Sequence, residues 1–294
     1  MPNTFVKQGS ARAIAAEAAG LRELGRAARA GGAATVRLVS AGTNSLETAR
    51  LEPGAPTQEA AEEFGRRLAR THAFSPEGKR IFGQAPSGLA ENGAETSVTA
   101  AMGDAPLRLV APDSQARPWG EFYAEDRILP YLRTARDNGA VHQSGAQIIE
   151  RLCERLRVGD FDSPQPELVR TDAALLHGDL WAGNILWSHT GADLHERVEL
   201  EVELEAETSA SGTVAVLIDP ACQGGHAESD LAQLTVFSAP FTERIYSAYN
   251  EVSPLAEGWQ RRIGLHQLHI LIVHAALFGA GYGSQTISTA RGYI

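Results

Sequence analysis

Hydrophobic and polar positions change period several times along the chain, and each change predicts an element. Residues 4–7 ("TFVK") are β-type and predict a short strand ending near Gly9. Over residues 11–30, Ile14, Ala18, Leu21 and Leu24 recur at helical spacing, with Ser10 as N-cap and Gly31 and Gly32 as the stop. Glu17 falls on that apolar stripe, whereas Arg12, Glu23 and Arg26 fall on the other face, so Glu17 is the predicted inward charge. "TVRLVSAG" and "SLETARLEPG" predict two further strands joined at residues 42–44, giving a small antiparallel sheet with one helix. Pro53, Gly54 and Pro56 mark a hinge after it.

Beyond the hinge the pattern is mainly helical. "QEAAEEFGRRLARTH" buries Ala61, Phe64, Leu68 and Thr71 or His72, and residues 144–156 predict another helix. Residues 75–117, rich in Gly, Ala, Ser and Pro with no steady period, are expected to be loops with at most short helical turns. "WGEFYAEDRILPYLRTARDNG" restarts helix after Pro118, with Pro130 expected to kink or break it. Residues 188–213 form an acidic insertion, an exposed hairpin or a solvated loop, and helices are predicted from Ser229 onward.

Composition narrows the function classes. The net charge of -10 argues against nucleic acid or an anionic membrane as partner, since both demand a basic face. No apolar run approaches the ~20 residues of a membrane span, and "MPNTFVKQGS" lacks the apolar core of a signal peptide, so a cytoplasmic protein is expected. Cys153 and Cys222 are too few for a disulfide framework or zinc site and are expected as reduced thiols. Nearly all basic residues are arginine, so chemistry requiring a lysine has Lys7 and Lys79 as candidates. His266, His269 and His274 lack metal-binding spacing and are expected in the core or along a cleft.

The candidate chemistry lies in "LLHGDLWAGNILW", residues 175–187, an apolar stretch carrying His177, Asp179 and Asn184. Buried polar groups need partners. Asp179 and Asn184 are five positions apart, the spacing of base and metal-binding asparagine in the kinase loop H-R-D-x-x-x-x-N. A loop of that length can aim the carboxylate at an acceptor hydroxyl while the amide oxygen turns to a magnesium ion. "VAVLIDPA" then ends a buried strand at Asp219, a carboxylate suited to chelating magnesium between phosphates. Taken singly, a core histidine, a turn aspartate, a capping asparagine and a strand end are the commoner readings. Together, in this order, they point to phosphoryl transfer, and strand Lys7 with inward Glu17 completes a nucleotide site.

These segments resemble the fructosamine (ketosamine) kinases, which share the bilobal fold of aminoglycoside and choline kinases. The resemblance rests on "TFVK" with "EAAGLREL", "LEPG", "WGEFYAEDRILPYL", "LLHGDLWAGNILW", "LIDPACQGGHAESDLA" and the C-terminal "AYNEVSPLAEGWQRRIGLHQL". It implies an α/β (α+β), bilobal protein-kinase-like fold with a reduced N-terminal lobe, residues 1–52, and a mostly helical C-terminal lobe, residues 53–294. It implies Asp179 as catalytic base, Asn184 and Asp219 as magnesium ligands, and Lys7 with Glu17 as phosphate clamp. By the same resemblance Arg50 and Glu52 contact nucleotide, Trp181, His226 and Glu228 flank the sugar, and Asp230 with His177 supports the catalytic loop.

The implied reaction uses ATP and Mg2+ to phosphorylate a sugar hydroxyl of a small-molecule ketosamine or glycated amine, a fructosamine or ribulosamine. A kinase for an aminoglycoside or choline-like alcohol, or a nucleotide-binding pseudokinase, is the alternative. Two departures stand out: only three residues precede Thr4, where the family places a glycine-rich hairpin, and the acidic insertion replaces a short hairpin.

Overall fold

The computed structural model describes residues 4–89, 97–189 and 212–294; most of the acidic insertion, residues 190–211, lies outside them. Strand β1 (Thr4–Gln8) leads into α1 (Ala11–Arg29), whose first turn is capped by Ser10 accepting from Ala13 N. β3 (Leu38–Ala41) and β4 (Ser45–Ala49) complete an antiparallel sheet of order β1-β4-β3. Ile14, Ala18 and Leu21 of α1 close a small core against Val36 and Leu46. The stripe read from the sequence is thus the buried one, and Glu17 is buried with it.

Glu23 departs from the expectation of a solvent face. It is 3% exposed, because Arg80 arrives from a distant loop at 2.9 Å and Arg26 closes from 3.2 Å. A helix face that looks polar in sequence is here covered through an ion pair.

β2 (Ala34–Thr35) leaves the first sheet and pairs in parallel with β9 (Thr213–Leu217), which pairs antiparallel with β8 (Ile185–His189). This second sheet joins segments from both sides of residue 52. Pro53 bridges Ser188, and Gly54 N donates to Trp187 O at 2.7 Å, so the hinge is stitched to the same strands.

The remainder is largely helical. α2 (Gln58–Ala73) packs on α7 (Thr242–Val252), α8 (Trp259–Phe278) and α9 (Ala280–Arg291) share a core with α5 (Gln143–Arg157), and α6 (Ala227–Val236) packs on α8. Cys153 and Cys222 are free and buried. Among the described residues no helix is long and apolar enough to cross a membrane.

Residues 75–117 contain a feature that the sequence reading missed. β5 (Ser97–Met102) and β6 (Ala105–Val110) form an antiparallel hairpin with Met102 opposite Ala105 and Ala100 opposite Leu107. Ala105, Leu107 and Leu109 are buried while Pro106 and Arg108 are exposed, a period-two pattern. The two-residue turn places Gly103 at φ +58°, a conformation that glycine adopts without a Cβ penalty.

The helix restart at Trp119 does not break at Pro130. α3 (Trp119–Phe122) passes through a π-helical segment, Tyr123–Ile128, into α4 (Leu129–Asp137). Pro130 has no N–H to offer the carbonyl four residues back, and Asp126 O instead accepts from the buried Arg127 guanidinium at 3.0 Å.

Candidate active site

The loop from His177 to Asn184 runs between β7 (Ala174–Leu176) and β8. Its entry is fixed by Asp230, a fully buried residue of α6, whose carboxylate accepts from His177 N at 2.7 Å and Gly178 N at 2.9 Å. His72 of α2 donates to the same carboxylate from Nε2 at 3.2 Å, while its Nδ1 accepts from Tyr249 OH at 2.9 Å. Gly178 sits at φ +86°, and a Cβ there would fall 2.0 Å from Ala221 O, so both conformation and space demand glycine.

His177 is wholly buried and acts inside the loop. Its Nε2 donates to Ile218 O at 2.8 Å and its Nδ1 accepts from Asp179 N at 3.3 Å, tying the loop to the strand end that carries Asp219. Asn184 donates from Nδ2 to Asp179 O at 2.8 Å and Oδ2 at 2.9 Å, which directs its amide oxygen elsewhere. Burial pushes the Asp179 carboxyl above its ordinary range, against the opposing pull of His177 and the Asn184 hydrogen bond.

Lys7 reaches the site from β1. Its Nζ lies 2.8 Å from Glu17 Oε2 and 3.1 Å from Asp219 Oδ1, with Asp219 in the left-handed region at φ +51°. Burial alone would lower the ammonium, yet hydrogen bonds and charge from Glu17 and Asp219 carry it above its ordinary value. Lys7, Glu17, Asp179, Trp181, Asn184 and Asp219 all line one cleft of about 840 Å³.

Asp179 and the Glu17-paired Lys7 thus line the same cleft. The sequence profile of the fructosamine kinase family matches residues 3–293. The chain belongs to the fructosamine kinase family. It is similar to the crystal structure of a protein from Thermobifida fusca YX-ER1 assigned as a fructosamine-3-kinase, with 36% identity, a TM-score of 0.75, and coverage of 99% of this chain and 85% of that one. The chloroplastic protein-ribulosamine 3-kinase of Arabidopsis thaliana is 29% identical over 235 residues, 79% of this chain and 56% of the relative. The chain spans about half the length of the first curated relatives it matches. An ADP-bound aminoglycoside phosphotransferase, 13% identical with a TM-score of 0.56 over 99% of this chain and 88% of that one, shares the protein-kinase-like fold.

Not every residue that the fructosamine kinase resemblance singles out reaches the cleft. Arg50 and Glu52 are not among its lining residues. Arg50 donates to Thr4 O at 3.4 Å, and the Glu52 carbonyl accepts from His189 N at 3.1 Å and Ser188 Oγ at 2.9 Å.

His226 and Glu228 also stand elsewhere. After Asp219 the chain pairs with β7 as β10 (Gln223–Gly225), and His226 and Glu228 then form the buried start of α6, outside the cleft lining. His226 is 1% and Glu228 4% exposed. Glu228 is gripped by both arms of Arg262, at 2.8 and 2.6 Å, and His266 Nε2 approaches it at 3.3 Å. Arg262 bonding holds the Glu228 carboxyl down at about 2, although burial pushes the other way.

His226, Glu228 and His266 do bring potential ligand atoms within 4.8 Å of one another. The site nevertheless suits a guanidinium rather than a metal. Arg262 already neutralises the carboxylate, and His226 Nδ1 is spent accepting from Glu228 N at 3.2 Å as the N-cap of α6. His269 and His274 lie outside the cleft lining as well.

The sequence reading missed two contributors to the cleft: Arg12 on the first turn of α1, and the β5–β6 hairpin from Ala100 to Pro106. The alternation in "SVTAAM" and "APLRLV" was the available signal for the second.

Proposed function

We infer that the protein transfers the γ-phosphate of ATP to a sugar hydroxyl of a ketosamine. The observation that carries this reading is one cleft holding Asp179 and Asn184 on a five-residue spacing opposite the Lys7–Glu17 pair and Asp219. Family membership supports the acceptor class.

In this reading Asp179 is the general base. It takes the hydroxyl proton as the new oxygen–phosphorus bond forms and the bond to the departing ADP breaks. Burial raises its pKa, which strengthens it as a base. Lys7, kept protonated and aimed by Glu17, neutralises phosphate charge. The Asp219 carboxylate and the Asn184 amide oxygen form a hard oxygen donor set that fits magnesium, which would neutralise charge on the phosphates. Residues 1–52 then supply the phosphate clamp and residues 53–294 the base, metal ligands and acceptor wall.

The test is incubation with magnesium and ATP against a panel of fructosamines, ribulosamines, kanamycin and choline, with phosphorylated product read by mass spectrometry. Product from a ketosamine, with kcat/KM at least about tenfold above that for kanamycin, is expected, a difference of about 1.4 kcal/mol. Preference for the aminoglycoside or choline, or no ATP-dependent product at all, overturns the reading.

A further inference from the structure

A ketosamine carries an amine that is cationic near neutral pH, and a cation entering a cleft calls for a carboxylate. Glu228, which the family resemblance sets beside the sugar, is sequestered by Arg262. The carboxylates that do line the cleft are Glu17, Asp104, Asp179 and Asp219. Glu17 and Asp219 are bound to Lys7, and Asp179 holds Asn184 and faces the acceptor hydroxyl as base. Asp104 is exposed and makes no hydrogen bond or ion pair with the described residues.

Its setting is a firm one. Asp104 follows Gly103 in the two-residue turn of the β5–β6 hairpin, whose Ala100, Met102, Ala105 and Leu107 share a core cluster with Tyr131 and with Ala16 of α1. Tyr131 OH donates to Pro106 O at 2.8 Å, pinning the strand just past the turn. A carboxylate on such a platform loses little freedom when it meets a ligand.

We propose that Asp104 is a specificity-determining residue that pairs with the protonated amine of the ketosamine, while Trp181 walls the sugar. This assignment rests on the function inferred above. It gives the β5–β6 hairpin a chemical role in reading charge on the acceptor, separate from the phosphoryl-transfer groups.

The test compares an N-alkyl fructosamine, which is cationic, with its neutral N-acyl counterpart, on the wild type, Asp104→Asn and Asp113→Asn. Asp113 is an exposed carboxylate outside the cleft and controls for net charge. Asp104→Asn should raise KM for the amine at least tenfold and abolish its increase with added salt. Its kcat, KM for ATP and melting temperature should stay close to wild type, and Asp113→Asn should change none of these. Any turnover of the N-acyl compound should be equal in all three proteins. Wild-type KM for the amine in Asp104→Asn, or equal losses on amine and amide, overturns the Asp104 assignment alone. No wild-type product from the amine overturns the function reading and this assignment with it.

Discussion

Asn184 binds Asp179 twice, through the backbone oxygen at 2.8 Å and the carboxylate Oδ2 at 2.9 Å, both from Nδ2. This closes a tight loop across five positions and leaves one carboxylate oxygen of Asp179 for an acceptor. With Nδ2 spent on Asp179, the amide oxygen of Asn184 is directed away from that carboxylate. A spacing read in the sequence thus corresponds to one side chain setting the orientation of another.

Asp179→Asn should fold, bind ATP and lose at least about a hundredfold in kcat, the scale of a general base. Because burial holds the carboxyl above its ordinary value of 3.8, wild-type kcat/KM should fall on acidification at a pH above that value. The sign follows from the role: protonation below the pKa removes the base. The residual activity of Asp179→Asn should lack this acid limb. Turnover within threefold of wild type in a folded variant would remove Asp179 from the mechanism.

Lys7→Met and Glu17→Ala should each weaken kcat/KM for ATP, and the double variant should lie within about threefold of the worse single one. The 2.8 Å pair makes Glu17 useful chiefly through Lys7. Multiplicative losses in the double variant would show the two acting independently.

The residues that meet around the cleft were legible where the signal is local. Glu17 was marked by falling on the apolar stripe of α1, and Asp179 with Asn184 by a spacing inside one loop. What was not legible depends on distant partners. Glu23 reads as a surface charge until Arg80, 57 positions away, covers it. His226 and Glu228 follow Asp219 closely in sequence, yet the β10–β7 pairing intervenes and they sit at the buried start of α6, outside the cleft lining. The β5–β6 hairpin was hidden because small alanines carry much of its inward face, so its alternation is weak in hydrophobicity although its burial alternates plainly.

Arg262→Met should destabilise the fold by about 3–5 kcal/mol, since it strands the buried Glu228 carboxylate. The double variant Glu228→Gln, Arg262→Met should recover part of that loss, because no unpaired charge remains. Urea denaturation of the singles and the double checks both statements. A double variant less stable than Arg262→Met would mean that Glu228 gains its stability from His266 or the backbone instead.

The last prediction concerns pH. His226 is enclosed by Trp119 at 5.9 Å and His266 at 5.0 Å, and its Nδ1 accepts from Glu228 N, which places the ring proton on Nε2 beside Ser163. Burial foremost, then the neighbouring His266, lowers its pKa from 6.5 to about 3. In this window the unfolded chain binds a proton that the folded chain refuses, so stability is full above about pH 6.5 and declines as the pH falls toward 3. One such group contributes at most about 1.4 kcal/mol per pH unit. His269, also driven down by burial, acts in the same direction. Glu228, held near 2, costs stability only below its ordinary value of 4.5, so it does not account for losses above that pH. His226→Asn keeps an N-capping side chain for α6 and removes the titration. Denaturant unfolding at pH 7 and pH 5 should therefore show a stability loss in the wild type that is smaller in His226→Asn by at least about 1 kcal/mol. Equal losses in the two proteins would assign the acid sensitivity to other groups and leave His226 as a cap alone.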